Sequence, residues 1–349
     1  MAKRSLFWIL LAVALVCVVT LLSGSLRAQG KSANALQHAK EVQQKHTARL
    51  MAINGVVGTA VGLNQDNRLV VKVYTAAAGA PGIAKKLDDL PTQVVVTGRF
   101  NALAKGGKPG KPGKPGGKTN FDPTARQPRP VPIGVSTGNA GECSAGTIAC
   151  RLVDAAGSVY ALSNNHVYAL ENAALLGSEI LQPGRYDTAC VYHADDVIGT
   201  LAAYSTIDFA NGTTNTIDAA IALTTTDDLD NNTPPNGYGT PKSSPVNVYV
   251  NQKVQKYGRT SSLTKGSVTG INATIDIAYG SRTARFVNQI IVESRKPFIK
   301  TGDSGSLLVT DPDKEPVGLL FAGNGSGKFA VANHIDDVLT AFNVTIDGQ

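Results

Sequence analysis

A mainly β fold is predicted by three observations. The chain of 349 residues has 42% hydrophobic and only 17% charged side chains, so a sizeable core can be buried. Its 36 glycines punctuate the sequence at short intervals. Between those turn signals lie short β-branched runs in place of long 3.6-residue periodicities. Repeated short strands over about 220 residues suit either a sandwich or a pair of small barrels.

The N-terminus reads as an export signal over residues 1–28. Lys3 and Arg4 precede an apolar run from Leu6 to Leu22, and the small residues Ser23, Gly24 and Ser25 follow. The run is at the short limit for spanning a bilayer, so residues 6–22 serve either as a cleaved signal or as an anchor. Either way the expected location is exported: extracellular, periplasmic or cell-surface. Export permits a disulfide among Cys143, Cys150 and Cys190, with the pairing open; the alternative is three small buried thiols.

A small α+β domain is expected over 32–100, as a propeptide, a regulatory module or a spacer. Leu36, Ala39, Val42, Leu50 and Ile53 are spaced as on an amphipathic helix. Strand-like runs follow at 56–63 and 69–74, then a helix begun by Pro81 and ending at Leu90, then a strand at 93–97. A linker covers 101–130. Its Lys-Pro-Gly repeats can neither bury apolar surface nor form a ladder.

The linker also explains the net charge of +7. Seven cationic side chains fall within 101–130 against the single acid Asp122, and three more within 1–28. The remainder is close to neutral, which excludes a nucleic-acid surface on the folded parts. The basic linker and the N-terminal segment are the parts suited to associating with an anionic membrane or cell wall.

The third unit, 131–349, carries the chemistry. Strands are expected at 146–153, 158–163, 254–257, 266–279, 284–293, 306–310, 316–322 and 328–332, with a terminal helix at 336–342. Thr301-Gly302-Asp303-Ser304-Gly305-Ser306 opens an apolar strand. A glycine there permits a tight bend, so that the amides of Gly302 and Ser304 can converge on one oxyanion while the Ser304 hydroxyl attacks a carbonyl. Asp303 would hold the loop by pairing with a buried cationic or amide group. Serine needs a base, and imidazole suits the task. Of five histidines, His166, in Leu162-Ser163-Asn164-Asn165-His166-Val167, ends a strand in a polar turn as a positioned base should; His193 reads as lying in a polar loop, and His334 follows the last strand near the C-terminus. Asp218 opens the apolar run Asp218-Ala219-Ala220-Ile221-Ala222-Leu223 and is preferred over Asp208 as the acid buried against the imidazole.

The order His, Asp, Ser, with gaps of 52 and 86 residues, is one of several orders in which this triad occurs. With these motifs, residues 134–344 resemble the trypsin-like (chymotrypsin-fold) serine peptidases of the bacterial type. Leu162–Val167 stands for that family's histidine motif, Asp218–Leu223 for its aspartate motif and Gly302–Val309 for its serine motif. The resemblance implies a double β-barrel with a C-terminal helix, the triad between the barrels, and peptide-bond hydrolysis through an acyl-enzyme. It makes Gly302 and Ser304 the oxyanion donors. It makes Phe321, Ala322 and Gly323 part of a substrate-binding edge strand and Phe298 the specificity position, against a basic preference and toward a small or apolar one. No family-like new N-terminus lies near 130–134, so insertion of one onto Asp303 is not expected.

The expected function is therefore an exported serine endopeptidase acting on protein or peptide substrates. The alternative is a trypsin-like scaffold that binds peptides or processes itself without general turnover; a surface interaction protein is the third class. No metal or cofactor is expected: there is no HExxH, no cysteine pair at finger spacing and no phosphate-binding glycine loop before a helix.

Overall fold

The computed structural model describes residues 33–103 and 121–349. The export signal expected over 1–28 lies outside the described residues, as do 104–120 of the expected linker. Among the described residues no helix is long and apolar enough to cross a membrane.

The chain begins with helix α1, residues 33–51, which buries Ala39, Val42 and Leu50 as their spacing predicts. It packs on strands β1 (Val56–Leu63), β2 (Leu69–Thr75), β3 (Lys86–Leu87) and β4 (Leu90–Val96). Strands β1 and β2 form an antiparallel hairpin, and β4 lies parallel to β2. The helix expected from Pro81 to Leu90 is absent: that stretch is turns and the short strand β3. Gly79 and Gly82 both take positive φ, 84° and 80°, which breaks a right-handed helix on each side of Pro81. Leu87 then anchors the segment in the core.

Two larger sheets build the rest. The first comprises β6 (Ser136–Asn139), β7 (Gly146–Thr147), β8 (Arg151–Asp154), β9 (Val159–Ser163), β10 (Glu179–Leu181), β11 (Val197–Tyr204), β12 (Ala220–Thr224) and β19 (Val344–Ile346). Its order is β19-β8-β9-β12-β11-β10-β6-β7, curled around Ile133, Ile148, Leu152, Leu162 and Tyr168. The single strand expected over 146–153 is broken. The Ile148 amide bonds the Val135 carbonyl and the Ala149 amide the Leu162 carbonyl, so the chain changes partners between β7 and β8.

The second sheet closes on itself. Strands β13 (Lys253–Gly258), β16 (Leu307–Thr310), β17 (Pro316–Asn324), β18 (Phe329–His334), β15 (Arg282–Glu293) and β14 (Ser262–Tyr279) pair in that order, and β13 also pairs β14. The pairing of β13 with the first part of β14 closes a six-stranded barrel and leaves the later part of β14 and the end of β17 open to further strands. Helix α3, Ile335–Phe342, follows and buries Ile335, Val338 and Leu339. The chain is mainly β, a double β-barrel with a helix near its C-terminus, followed by β19.

The N-terminal unit joins this body through its backbone. Strand β1 pairs antiparallel with β14, matching Gly58 to Ile275. Strand β5, Phe100–Ala102, runs parallel to β14 and antiparallel to β17. It lies where the linker was expected to begin. A disulfide joins Cys143 to Cys190, and Cys150 is a buried free thiol.

Candidate active site

His166 lies on a four-residue helix, α2 (Asn165–Tyr168), immediately after β9. The β9–β12 ladder pairs Ser163 with Ala220, which brings α2 beside the residues preceding β12. There His166 Nδ1 lies 2.5 Å from Asp218 Oδ2, and the His166 amide donates to Asp218 Oδ1 at 3.2 Å. Both side chains are buried. A carboxylate facing Nδ1 places the ring proton there and leaves Nε2 as the acceptor, the tautomer a general base requires.

Asp218 is held from several sides. Asn164 Nδ2 donates to its carbonyl at 2.8 Å, and its amide donates to Asn333 Oδ1 on β18 at 3.0 Å. The Tyr279 hydroxyl donates to Oδ2 at 2.7 Å. Burial, then the Asp218 charge, push the Tyr279 phenol well above its ordinary pKa, so it stays a donor. The rival Asp208 caps a local turn, accepting the Ala210 amide. His193 precedes a 3-10 turn and His334 precedes α3; neither meets Asp218.

Ser304 sits on the turn before β16. Gly302 has φ +95°, and a Cβ there would lie 2.6 Å from both Arg259 Nη1 and Thr260 Oγ1. The turn is tied down by Thr147, whose amide donates to the Ser304 carbonyl and whose hydroxyl donates to the Gly302 carbonyl, each at 2.8 Å.

Asp303 is wholly buried beneath this turn and pairs with Lys256 Nζ at 3.1 Å, itself without exposed side chain. Its oxygens also accept the amides of Thr260, Ser261 and Lys300 and the Ser261 hydroxyl. Burial raises the Asp303 carboxyl, but the Lys256 charge and these hydrogen bonds outweigh it and hold its pKa below the ordinary carboxylate value. Lys256 is thus the buried cation expected opposite Asp303, which no local motif names. Beside it Arg259 pairs with Asp187, joining the second barrel to the segment that ends at Cys190.

The four residues of the expected substrate site fall in different places. Phe298 is buried in the second barrel's core with Val254, Val292 and Leu308, although the resemblance made it the specificity position. Phe321 is also buried, its ring centroid 4.8 Å from that of Phe286. Ala322 and Gly323 pair with Ala102 and Asn101 of β5. A Cβ on Gly323 would meet Ile299 Cγ2 at 2.6 Å and Leu103 Cδ1 at 3.0 Å. A cleft of about 450 Å³ opens there, lined by Leu103, Pro297, Ile299, Lys300 and the 324–327 loop.

The nucleophile does not touch the base. Ser304 Oγ donates to the Phe321 carbonyl at 3.1 Å, and His166 Nε2 is buried without a partner among the described residues. Ser304 Oγ also accepts the Leu103 amide at 3.3 Å, and the Leu103 carbonyl accepts the Gly302 amide at 2.6 Å. Tyr279, Lys256, Asn333 and Leu103 carry no signal in the sequence. Each gains its place from a strand partner far away in the chain, and none sits in a local motif.

The Nal1 C-terminal domain profile matches residues 240–341. No curated protein matches the sequence closely enough to count as a relative. Among solved structures, a glutamic-acid-specific serine protease using a histidine triad in substrate binding is 20% identical over 62% of this chain and 100% of its own, at a TM-score of 0.45. Protease A of Thermobifida fusca is 15% identical over 63% and 100%, at 0.45. The chymotrypsin of Cellulomonas bogoriensis is 18% identical over 63% and 99%, at 0.43.

Proposed function

We propose that the chain is a serine endopeptidase with Ser304 as nucleophile, His166 as general base and acid, and Asp218 as the group that orients His166. The observation carrying this reading is the buried His166–Asp218 pair at 2.5 Å, beside which stands the Gly302 amide of the Ser304 turn, bonded to the Leu103 carbonyl at 2.6 Å as an oxyanion donor would be. In the reaction, Ser304 turns to His166 Nε2, gives up its proton and attacks the scissile carbonyl carbon. The oxyanion rests on the Gly302 and Ser304 amides. His166 then protonates the leaving amine, and water attacks the ester by the same route in reverse. An exported location is supported by the Cys143–Cys190 disulfide together with the signal-like residues 1–28.

A second reading is favoured by one observation. Ser304 Oγ is bonded to the Phe321 carbonyl and not to His166. A scaffold that binds peptides without turnover would keep that arrangement. Labelling with a fluorophosphonate separates the two, because only a serine activated by its base reacts. Labelling of the wild-type chain that disappears in Ser304→Ala and His166→Ala and survives in Asp208→Ala supports the peptidase. A chain that no fluorophosphonate labels, even with the cleft emptied, is the scaffold.

A further inference from the structure

We propose that Asp187, on the first barrel, is a positioning residue for the oxyanion turn on the second. Through Arg259 and Thr260 it holds the Thr301–Gly302 peptide plane so that the Gly302 amide faces the carbonyl under attack. This rests on the reading of Ser304 as an active nucleophile and names what keeps its oxyanion donor aimed.

The plane is the unit that needs holding. The Gly302 amide and the Thr301 carbonyl belong to one rigid peptide group, so fixing the carbonyl fixes the direction of the amide. Gly302 has φ +95°, a state open to glycine, and without a side chain it leaves the preceding plane free to rotate. Half a turn of that plane would withdraw the amide and set the Thr301 carbonyl against the oxyanion. The Thr260 hydroxyl opposes this by donating to the Thr301 carbonyl at 2.7 Å.

Arg259 holds the hydroxyl in place. Its Nη1 donates to Thr260 Oγ1 at 3.0 Å, which leaves the hydroxyl proton for Thr301. Its backbone serves the same turn: the Arg259 amide donates to Thr147 Oγ1 at 3.1 Å, and Thr147 Oγ1 donates to the Gly302 carbonyl at 2.8 Å. The carbonyls on the two sides of Gly302 are thus each tied to this one arginine through a threonine hydroxyl. The guanidinium also lies against the glycine itself, since a Cβ on Gly302 would stand 2.6 Å from Nη1.

Arg259 is aimed in turn by Asp187. Its Nε donates to Asp187 Oδ2 at 2.8 Å and its Nη2 to Oδ1, the planar fork that fixes the orientation of a guanidinium as well as its place. Both side chains are nearly buried, so water competes poorly for either. The Tyr186 ring covers the guanidinium, 5.3 Å from its centroid. With the fork engaged, Nη1 is the nitrogen left for Thr260.

The place of Asp187 is itself imposed. It lies on a single 3-10 turn, Arg185–Thr188, between β10 and β11. Ser136 Oγ, on β6, donates to its Oδ2 at 2.5 Å. Just beyond, Ala189 and Cys190 have φ +56° and +68°, left-handed states that side chains disfavour and that persist only where the surroundings impose them. Here the Cys143–Cys190 disulfide and Arg185 do so. The Cys190 amide donates to the Arg185 carbonyl at 2.7 Å, and Arg185 Nη2 donates to the Cys190 carbonyl at 2.6 Å. The barrel that carries His166 therefore also aims the oxyanion donor of the barrel that carries Ser304.

The test compares Asp187→Asn, Thr260→Val and the double variant in the full chain, each substitution keeping the shape of the side chain it replaces. Asp196→Asn is the control for lost stability alone, because it breaks a buried acid's pair with Arg126 in the same β10–β11 connection. Glycine-selective 15N labelling follows solvent exchange of the Gly302 amide, which reports the plane whether or not Ser304 reacts. The rate of fluorophosphonate labelling, with and without Leu103→Asp to expel the segment beside Ser304, reports the donor in use. Both single variants should exchange the Gly302 amide faster and label about 10–100-fold more slowly, and the double no more slowly than the worse single, because both act along one line. Asp196→Asn should match the wild type in both. In a wild type that labels, exchange or labelling unchanged in Asp187→Asn, losses that multiply in the double, or an equal loss in Asp196→Asn overturns the proposal and leaves the peptidase standing. A wild type that no fluorophosphonate labels, even with Leu103→Asp, overturns both.

Discussion

Tyr279 and His166 converge on a single oxygen of Asp218. The phenol donates at 2.7 Å, and the imidazole Nδ1 lies at 2.5 Å. Their rings also meet edge to face, with centroids 5.9 Å apart. Tyr279 ends β14, so the second barrel fixes a carboxylate that the first barrel presents to its histidine.

Tyr279→Phe keeps the ring that stacks near Phe286 but removes the donor. A hydrogen bond to a charged group contributes about 1.5–3 kcal/mol, so kcat should fall roughly ten- to a hundredfold. KM should move little, because Tyr279 positions Asp218 and touches no substrate, while the thermal midpoint should fall by several degrees with the lost buried bond. Steady-state kinetics on a chromogenic peptide reads this split. A change in KM alone would place Tyr279 in binding.

Lys256→Met should destabilise the fold by about 3–5 kcal/mol, the cost of leaving a buried charge unpaired. Asp303 would lose its cation while remaining buried. Adding Asp303→Asn removes the orphaned charge and should recover much of the loss. Urea denaturation of the two single variants and the double variant measures the coupling.

Acid should loosen the oxyanion turn. The folded-state pKa of Asp303 lies below its ordinary value, so the ionised form is the one stabilised. That stabilisation is complete above the unfolded carboxylate value of about 3.9 and is lost as pH falls through the lower folded value. Stability followed from pH 6 downward should therefore hold until about pH 4 and decline below it. The decline should be weaker in the Lys256→Met/Asp303→Asn chain.

Gly302→Ala should lower kcat by about 10²–10³, the loss of one oxyanion donor. The new Cβ would meet Arg259 and Thr260 at 2.6 Å in a backbone state with φ +95°. The turn must shift and carry its amide off target. Fluorophosphonate labelling should slow in parallel.

Gly323→Ala tests the cleft. Its Cβ would crowd Ile299 and the seat of Leu103. Preference before the scissile bond should move from larger toward smaller side chains, by about 10–100-fold in the ratio of kcat/KM values. An unchanged ratio would place the specificity pocket elsewhere.

Much of this site is legible in the order of amino acids. Ser304, His166 and Asp218 announce themselves through local grammar: a glycine-flanked serine opening an apolar run, a histidine after a strand, an acid before one. Strands β16 and β17 are legible for the same reason, as dense apolar runs bounded by turn residues, and β14 and β15 as longer β-branched stretches. The first barrel is less so. Strand β11 is only half-buried along most of its length, and β6 is a run of Ser, Thr, Gly and Asn buried by its neighbours and not by its own character. The helix expected at 81–90 fails because Pro81 favours a helix start while the glycines on either side of it take backbone states that no right-handed helix allows.

The sequence by itself determined the chemistry available, the β body and the low-complexity segment between two folded parts. Such information is carried by residues close together in the chain. Tertiary structure decided the rest. It chose Lys256 as the partner of Asp303, Tyr279 as the second donor to Asp218, and the segment ending at Leu103 as the neighbour of Ser304. These pairings join residues 47, 61 and about 200 positions apart. Such contacts follow from barrel closure and strand register, which no local pattern of side chains encodes.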